Sequence, residues 1–361
     1  MKGNKACIHA FDACFFNDCM WMAHASLNKL ICINLENGNI EKIIDIPFQQ
    51  YLNDVLYHTI KCIDGKIWVF PGKADKIVIY DINKEHFDCI SIPQIGDEII
   101  YGLDAFVAGE WIYIIPCDYH MITRIHKNTY QVEECLDLRT YTNGKWTFVS
   151  QARQTEDGKI LFTIQGNTCL FLYDIGNNQC KTIPIEMVGN QVFEARFVCK
   201  NGFVYLCTNV KNDNQLYIIN IETGTIVQKV AISSVNYKYV ETYGDGFVID
   251  TGVENGFDIF DTNLNLLQHG NYQKDESITK YISIFPYGIW KNVNESLKIC
   301  YNRYANELQY YLYEELKPYK VIRYEFEVEN ENEYILKTDE PILEDSIHLL
   351  THFLNTVKGN Q

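Results

Sequence analysis

Along the chain, short runs of β-branched and aromatic residues alternate with turns rich in Gly, Asn and Asp, and the alternation keeps a nearly fixed period. A short turn, usually X-Gly, joins two apolar runs at Asn17-Asp18, Asp64-Gly65, Ala108-Gly109, Asp157-Gly158, Asn201-Gly202, Asp245-Gly246 and Tyr287-Gly288. From the second residue of one turn to that of the next, the steps are 47, 44, 49, 44, 44 and 42 residues. A two-residue hairpin turn needs positive φ, which Gly, Asn and Asp tolerate, and its twist matches the strands it joins. A period of this length marks a repeat architecture in which each unit buries its apolar face against its neighbours.

The same order of elements recurs in each unit. After the turn comes a β-branched and aromatic strand, such as Lys66-Ile67-Trp68-Val69-Phe70 or Glu110-Trp111-Ile112-Tyr113-Ile114. A third apolar run follows and ends in a polar turn: Leu30 to Asn34 precedes Glu36-Asn37-Gly38, and Leu216 to Asn220 precedes Glu222-Thr223-Gly224. A more polar fourth strand, such as Ile40 to Ile46, closes the unit. Four antiparallel strands, inner ones apolar and the last mixed, make the pattern of a propeller blade.

The pattern predicts one all-β domain over residues 1–340, with blades near 5–47, 55–93, 100–138, 146–187, 192–232, 237–272 and 279–330. The last unit is irregular. Its first strand is placed at Lys280 to Phe285; beyond it, either strands at 297–302 and 308–313 precede an extra hairpin at 321–336, or every strand shifts one step later. Ring closure is expected to use the amino-terminal strand Lys5 to Ala10, because open sheet edges invite pairing. After Pro341, apolar residues including Ile342, Ile347, Leu350, Phe353, Leu354 and Val357 adopt helical spacing. They predict a C-terminal helix over 341–358 packed on the propeller.

The segment Leu216-Tyr217-Ile218-Ile219-Asn220-Ile221-Glu222-Thr223-Gly224 is similar to the third-strand motif of YVTN and quinoprotein-like repeats. Over about residues 5–330 the chain resembles a seven-bladed β-propeller of that type or of streptogramin-lyase-like type. It has no Trp-Asp dipeptide at its strand ends and no kelch-type Gly-Gly pair. The resemblance therefore implies a fold and no particular activity.

Charge and cysteine content narrow the partners. The 361 residues carry 31 basic and 47 acidic side chains, a formal charge of −16, which disfavours nucleic acid and anionic membranes as partners. No apolar stretch reaches the length of a membrane span, and the first residues lack an apolar core of signal-peptide length. Thirteen cysteines, an odd number with no C-x-x-C, read as buried thiols of a cytoplasmic protein.

The candidate chemistry lies on the first strand of each blade, which lines the channel of a propeller. Counting back from each turn places Tyr57, His58, Asp104, Gln151, Arg153, Glu194, Arg196, Tyr239 and Glu241 there. Buried lone charges are costly, so these groups must be paired, wet or turned to a cavity. The plainer expectation is a wet channel braced by Arg–carboxylate pairs. The functional one is a pocket in which Arg153 and Arg196 together hold an anionic or carbonyl group between tyrosine walls. For catalysis the candidates are His58 as general base and Glu194 or Glu241 as acid.

Other motifs are weak. His348 and His352 have i, i+4 spacing but lack the carboxylate of a zinc-protease helix, so no metal is expected. No P-loop, nucleotide fingerprint or nucleophile elbow is present, and no cofactor is expected. The sequence thus points to a cytoplasmic binding or scaffold propeller that takes a polar small molecule, carbohydrate or peptide at its channel face, with a protein partner as a further possibility. The alternative, implied by the streptogramin-lyase resemblance, is a lyase, cyclase, isomerase or glycan-processing enzyme.

Overall fold

In the computed structural model, the strands form seven antiparallel sheets of four, each in sequence order. The structure describes residues 4–335 apart from 7, 26–27, 48–55, 93–101, 118, 143–148, 165–166, 186–194, 209–213, 233–238, 253–255, 273–287, 295–296, 303–304, 313–316, 325 and 331–332. The first strands of the seven blades are Cys14–Phe16, Tyr57–Ile63, Gly102–Ala108, Val149–Gln154, Ala195–Lys200, Tyr239–Tyr243 and Gly288–Asn292. Consecutive first strands lie side by side. The fold is a seven-bladed β-propeller. The predicted helix at 341–358 lies outside the described residues. Among the described residues no helix is long and apolar enough to cross a membrane.

Local chemistry explains the hairpins. Asn17 and Asp18 (φ 46° and 57°), Asp64 (50°) and Asn201 (52°) occupy the left-handed region that the first turn of a blade demands. At the end of the third strand an Asx turn recurs. The side-chain oxygens of Asn34, Asp81, Asp174 and Asn220 each accept hydrogen bonds from the backbone N–H groups two and three residues on. This is the polar turn that the sequence repeats.

Seven apolar clusters fill the structure, one between each pair of adjacent blades and one between blades 7 and 1. The interface of blades 4 and 5, for example, packs Leu161 and Leu170 against Phe197, Val204 and Leu206. The second and third strands supply most of these residues because they are covered on both faces. Alternation gives way there to continuous burial, as in Ile160–Ile164 and Leu297–Asn302.

Blade 7 departs from the turn spacing. Its strands are Gly288–Asn292, Leu297–Asn302, Glu307–Leu312 and Lys320–Arg323, so the run after Tyr287-Gly288 is the first strand and not the second. The expected first strand at Lys280 to Phe285 lies outside the described residues. The shifted assignment is the one that holds, and its hairpin connection lies between Asn292 and Leu297, where the Val293 N–H donates to the Leu297 carbonyl at 2.9 Å. In blade 6 the turn is Gly244-Asp245, one residue before the expected Asp245-Gly246, since Tyr243 pairs with Gly246.

Closure also differs from the expected strand exchange. Asn4–Ala6 pairs with Phe326–Asn330, which pairs with Glu333–Ile335, in a separate three-stranded sheet. Blade 7 closes on blade 1 by packing and side-chain bonds. The Ile8 N–H donates to Tyr301 Oη (3.1 Å) and to Asn306 Oδ1 (3.2 Å), while Tyr324 Oη donates to the Gly38 carbonyl (2.9 Å). At Gly38 (φ 81°) a Cβ would sit 1.7 Å from Ile322 Cδ1, so the blade-7 side chain occupies the space that glycine leaves.

Gly158 (φ 82°) provides the control, with nothing within 4 Å of the place a Cβ would take. Gly158→Ala should cost only the left-handed penalty of about 1–2 kcal/mol. Gly38→Ala should cost about 1–3 kcal/mol more, because it also overpacks the closure. Urea midpoints of the two variants check this; equal losses would mean that Ile322 yields without strain.

Candidate functional site

Alternation along the first strands turns every second residue towards the propeller axis. Blade 2 contributes Thr59 and Lys61, blade 3 Asp104 and Phe106, blade 4 Gln151 and Arg153, blade 6 Tyr239 and Glu241. Arg196 of blade 5, Lys291 of blade 7, and Phe11 and Asp12 just before blade 1 complete the wall. All meet at one cavity of about 300 Å³. Blades 2, 3 and 4 each carry a register shift near the start of the first strand, with His58, Leu103 and Ser150 as the extra residues. Such a bulge re-aims the side chains on either side of it. This is why His58 reaches the cavity and Tyr57 does not. The Tyr57 ring packs between blades 1 and 2 and its hydroxyl donates to Asn28 Oδ1 at 3.0 Å, so the expected binding role at that position is withdrawn.

Six charged groups on the wall form one alternating chain. Lys291 Nζ lies 2.6 Å from Asp12 Oδ1, and Lys61 Nζ lies 3.6 Å from Asp12 Oδ2 and 2.8 Å from Asp104 Oδ1. Arg153 Nη1 lies 3.6 Å from Asp104 Oδ2, and Arg153 Nη2 donates to Glu241 Oε2 at 2.9 Å and to Tyr239 Oη at 3.0 Å. Burial alone would raise the pKa of Asp12, but the ammonium groups of Lys291 and Lys61 hold its carboxyl well below the usual carboxylate range. Burial likewise opposes the charge on Lys61, and Asp104 and Asp12 more than offset it.

Arg196 stands outside this chain. Its side chain is buried, and among the described residues no carboxylate lies within ion-pair distance of it. Next to it, the Phe197 N–H donates to Gln151 Oε1 (2.7 Å), while Gln151 Nε2 has no acceptor among the described residues. The expected Arg153–Arg196 pair is therefore split: Arg153 is committed to Asp104, Glu241 and Tyr239, and Arg196 has no carboxylate partner among the described residues. Among the described residues, four cations face three carboxylates around the cavity, in a protein of net charge −16.

His58 stacks on Phe11, with ring centroids 5.1 Å apart at 17°. Burial lowers its pKa from 6.5 to about 4, Arg196 adds to the effect, and Asp12 and Asp104 oppose it. Its imidazole is neutral at pH 7. Glu241 accepts from Arg153 through Oε2 and from the Thr242 N–H through Oε1 (3.0 Å), so it braces an arginine and does not stand free as an acid. Glu194 lies outside the described residues. Asp12, Lys61 and Lys291 were not among the sequence candidates. Lys61 is two residues beyond Thr59 on the same face and was open to the alternation argument. Lys291 was hidden by the misplaced first strand of blade 7.

No family model matches the chain, and no curated protein matches it. Solved structures resemble its fold. A streptogramin B lyase structure superposes with a TM-score of 0.64 at 13% identity, covering 82% of this chain and 92% of that one. Virginiamycin B lyase from Staphylococcus aureus gives 0.61 at 13%, covering 82% and 92%. The hydrazine synthase of Kuenenia stuttgartiensis gives 0.61 at 10%, covering 86% and 97%. At these identities the likeness is one of fold.

Two measurements test the wall. Arg153→Met leaves Glu241 without its cation while Lys61 still pairs with Asp104, and should destabilise the protein by about 3 kcal/mol, whereas Arg196→Met strands no described carboxylate and should be nearly neutral. Denaturant titration checks the contrast, and equal losses would refute the charge chain as drawn. For pH, the unfolded chain protonates its histidines near 6.5 while native His58 stays neutral down to about 4. Stability should therefore fall as pH drops from 6.5 to 4, with His58 contributing on the order of 3 kcal/mol. His58→Gln should flatten that slope in urea midpoints measured across the window; an unchanged slope would remove His58 as its source.

Proposed function

We propose that the propeller binds a polar small molecule in its central cavity, through an anionic or carbonyl group that Arg196 receives. The observation that carries this is the split of the two inner arginines: one is neutralised within the wall and the other faces the cavity without a described counter-ion. A guanidinium held this way has its donors fixed in a planar fork suited to a carboxylate, phosphate or amide oxygen. The Phe11–His58 stack and Phe106 offer flat apolar surface beside it. A carbohydrate or the terminus of a peptide carries the same acceptor chemistry, and a binding or scaffold role in the cytoplasm follows from this reading.

A second reading is catalytic, with His58 as a general base. Its neutral imidazole at the cavity wall favours it, because a base must be unprotonated to accept a proton. The fold likeness to the two lyases agrees with this reading in architecture.

Thermal-shift screening of carboxylates, phosphates, sugars and short peptides tests both. A ligand at a hundred times its Kd should stabilise the wild type by about 2.7 kcal/mol. The shift should vanish in Arg196→Ala, whose own melting point stays close to wild type. A shift of equal size in Arg196→Ala would overturn the binding reading. The catalytic reading requires turnover of the bound molecule that disappears in His58→Gln while its thermal shift persists.

A further inference from the structure

Away from the axis, the outer part of blade 1 holds a cluster that the central cavity does not use. Cys19 begins the second strand (Cys19–Ala23), Cys32 lies in the third (Lys29–Asn34) and Glu41 in the fourth (Ile40–Asp45). One ligand atom of each lies within 4.8 Å of the other two. Cys19 pairs across the ladder with Asn34, and Cys32 sits two residues before Asn34, so the two thiols share one face as diagonal neighbours.

Glu41 arrives there by a backbone device. Cys32 pairs with Lys42 and Ile33 with Ile40, which leaves Glu41 as the extra residue of a bulge and turns its carboxylate to the thiols. Glu41 Oε2 lies 3.5 Å from Cys19 Sγ, and Glu41 Oε1 accepts from Asn34 Nδ2 at 2.6 Å. Asn34 is itself fixed by the N–H groups of Glu36 and Asn37. Around a tetrahedral zinc ion with bonds of about 2.3 Å to sulfur and about 2.1 Å to oxygen, the sulfur–oxygen separation is about 3.6 Å. The thiol and carboxylate already stand at that spacing, with a neighbour orienting the carboxylate as such sites require.

Blade 5 provides an internal control. Its second and third strands align with those of blade 1 through the pair Phe203–Asn220, and its fourth strand bulges at the same place, with Val227 as the extra residue. The three corresponding positions hold Phe203, Ile218 and Val227. The same backbone is thus filled by apolar groups there, so the fold does not require thiols and a carboxylate at these positions.

We propose that Cys19, Cys32 and Glu41 bind a divalent cation of the zinc class, with Asn34 orienting the carboxylate and the fourth position open to solvent. Two soft sulfur donors exclude calcium and magnesium as the preferred ions. As the sulfur–metal bonds form, the two thiol protons leave to solvent. Cys32 is buried, whereas Cys19 and Glu41 reach the surface and give the ion its path.

The test is a titration of the fully reduced, full-length protein with Co²⁺, followed by Zn²⁺. One equivalent of Co²⁺ should produce thiolate-to-cobalt charge transfer in the near ultraviolet and the intense visible bands of tetrahedral cobalt, and Zn²⁺ should displace it. Both features should disappear in Cys19→Ser. That substitution lies at a partly exposed strand end, and circular dichroism confirms the fold. Glu41→Gln should weaken Zn²⁺ binding at least about tenfold in competition with a chromophoric chelator. A wild type without the charge-transfer band overturns the proposal, as does a band that survives in Cys19→Ser, since other cysteines would then hold the metal.

Discussion

Everything in this molecule depends on apolar packing between neighbouring blades. A single four-stranded sheet has two faces and cannot cover both alone, so each blade leans on the next until the seventh meets the first. The seven apolar clusters are that dependence in residues. The meeting point is special because the chain does not run directly from one blade into the next there. Ile322 packs into the space over Gly38, and Lys320 and Tyr324 reach the carbonyls of Glu36 and Gly38, so the polar turn of blade 1 becomes the socket for blade 7.

Closing the ring forces seven first strands together, and this sets the electrostatics of the axis. Charged side chains there have lost much of their water, and a buried ion whose partner is removed costs far more than one whose pair is intact. The wall meets this constraint by alternation: Lys291, Asp12, Lys61, Asp104, Arg153 and Glu241 succeed one another with opposite sign. Such a chain contributes more to orientation than to net stability, because desolvation consumes most of the attraction. Blade 5 does not join it. Among the described residues, Arg196 is the cavity cation that no carboxylate pairs with.

The fold was legible in the sequence because its signals are local and repeated. Hairpin turns need left-handed residues, Asx turns need a short polar side chain, and both recur at the blade period, so Asn17-Asp18, Asp64-Gly65 and Asn201-Gly202 fall where the structure has turns. Blade 7 departs from the reading because Tyr287-Gly288 has a turn's composition at the expected spacing while the actual hairpin connects Asn292 to Leu297. The site was legible only in part. Asp104, Gln151, Arg153, Arg196, Tyr239 and Glu241 were located by counting back from the turns, whereas His58 lay on the named strand but owes its place in the cavity to a bulge. Partnership was not legible, because whether Arg153 or Arg196 is the neutralised one depends on which blades face each other across the axis. Tyr57 failed for a related reason: a bulge at His58 reverses the facing of the residue before it, and nothing in the local sequence announces a bulge.

Size limits what the cavity can receive. At about 300 Å³ it stands at the small end of ligand sites, which run from about 300 to 1,000 Å³. On the proposed reading the group received there belongs to a small molecule or to the end of a chain presenting one terminal group. Charge narrows the choice further. A cationic head would compete with Lys61, Arg153 and Lys291 for carboxylates already engaged, and would lose hydration without gaining a free acceptor. An acceptor group displaces no described carboxylate at Arg196. In a protein of net charge −16, the proposed reading has Arg196 select an anionic or carbonyl-bearing ligand at the site itself and not by long-range attraction, since the overall field repels anions at a distance.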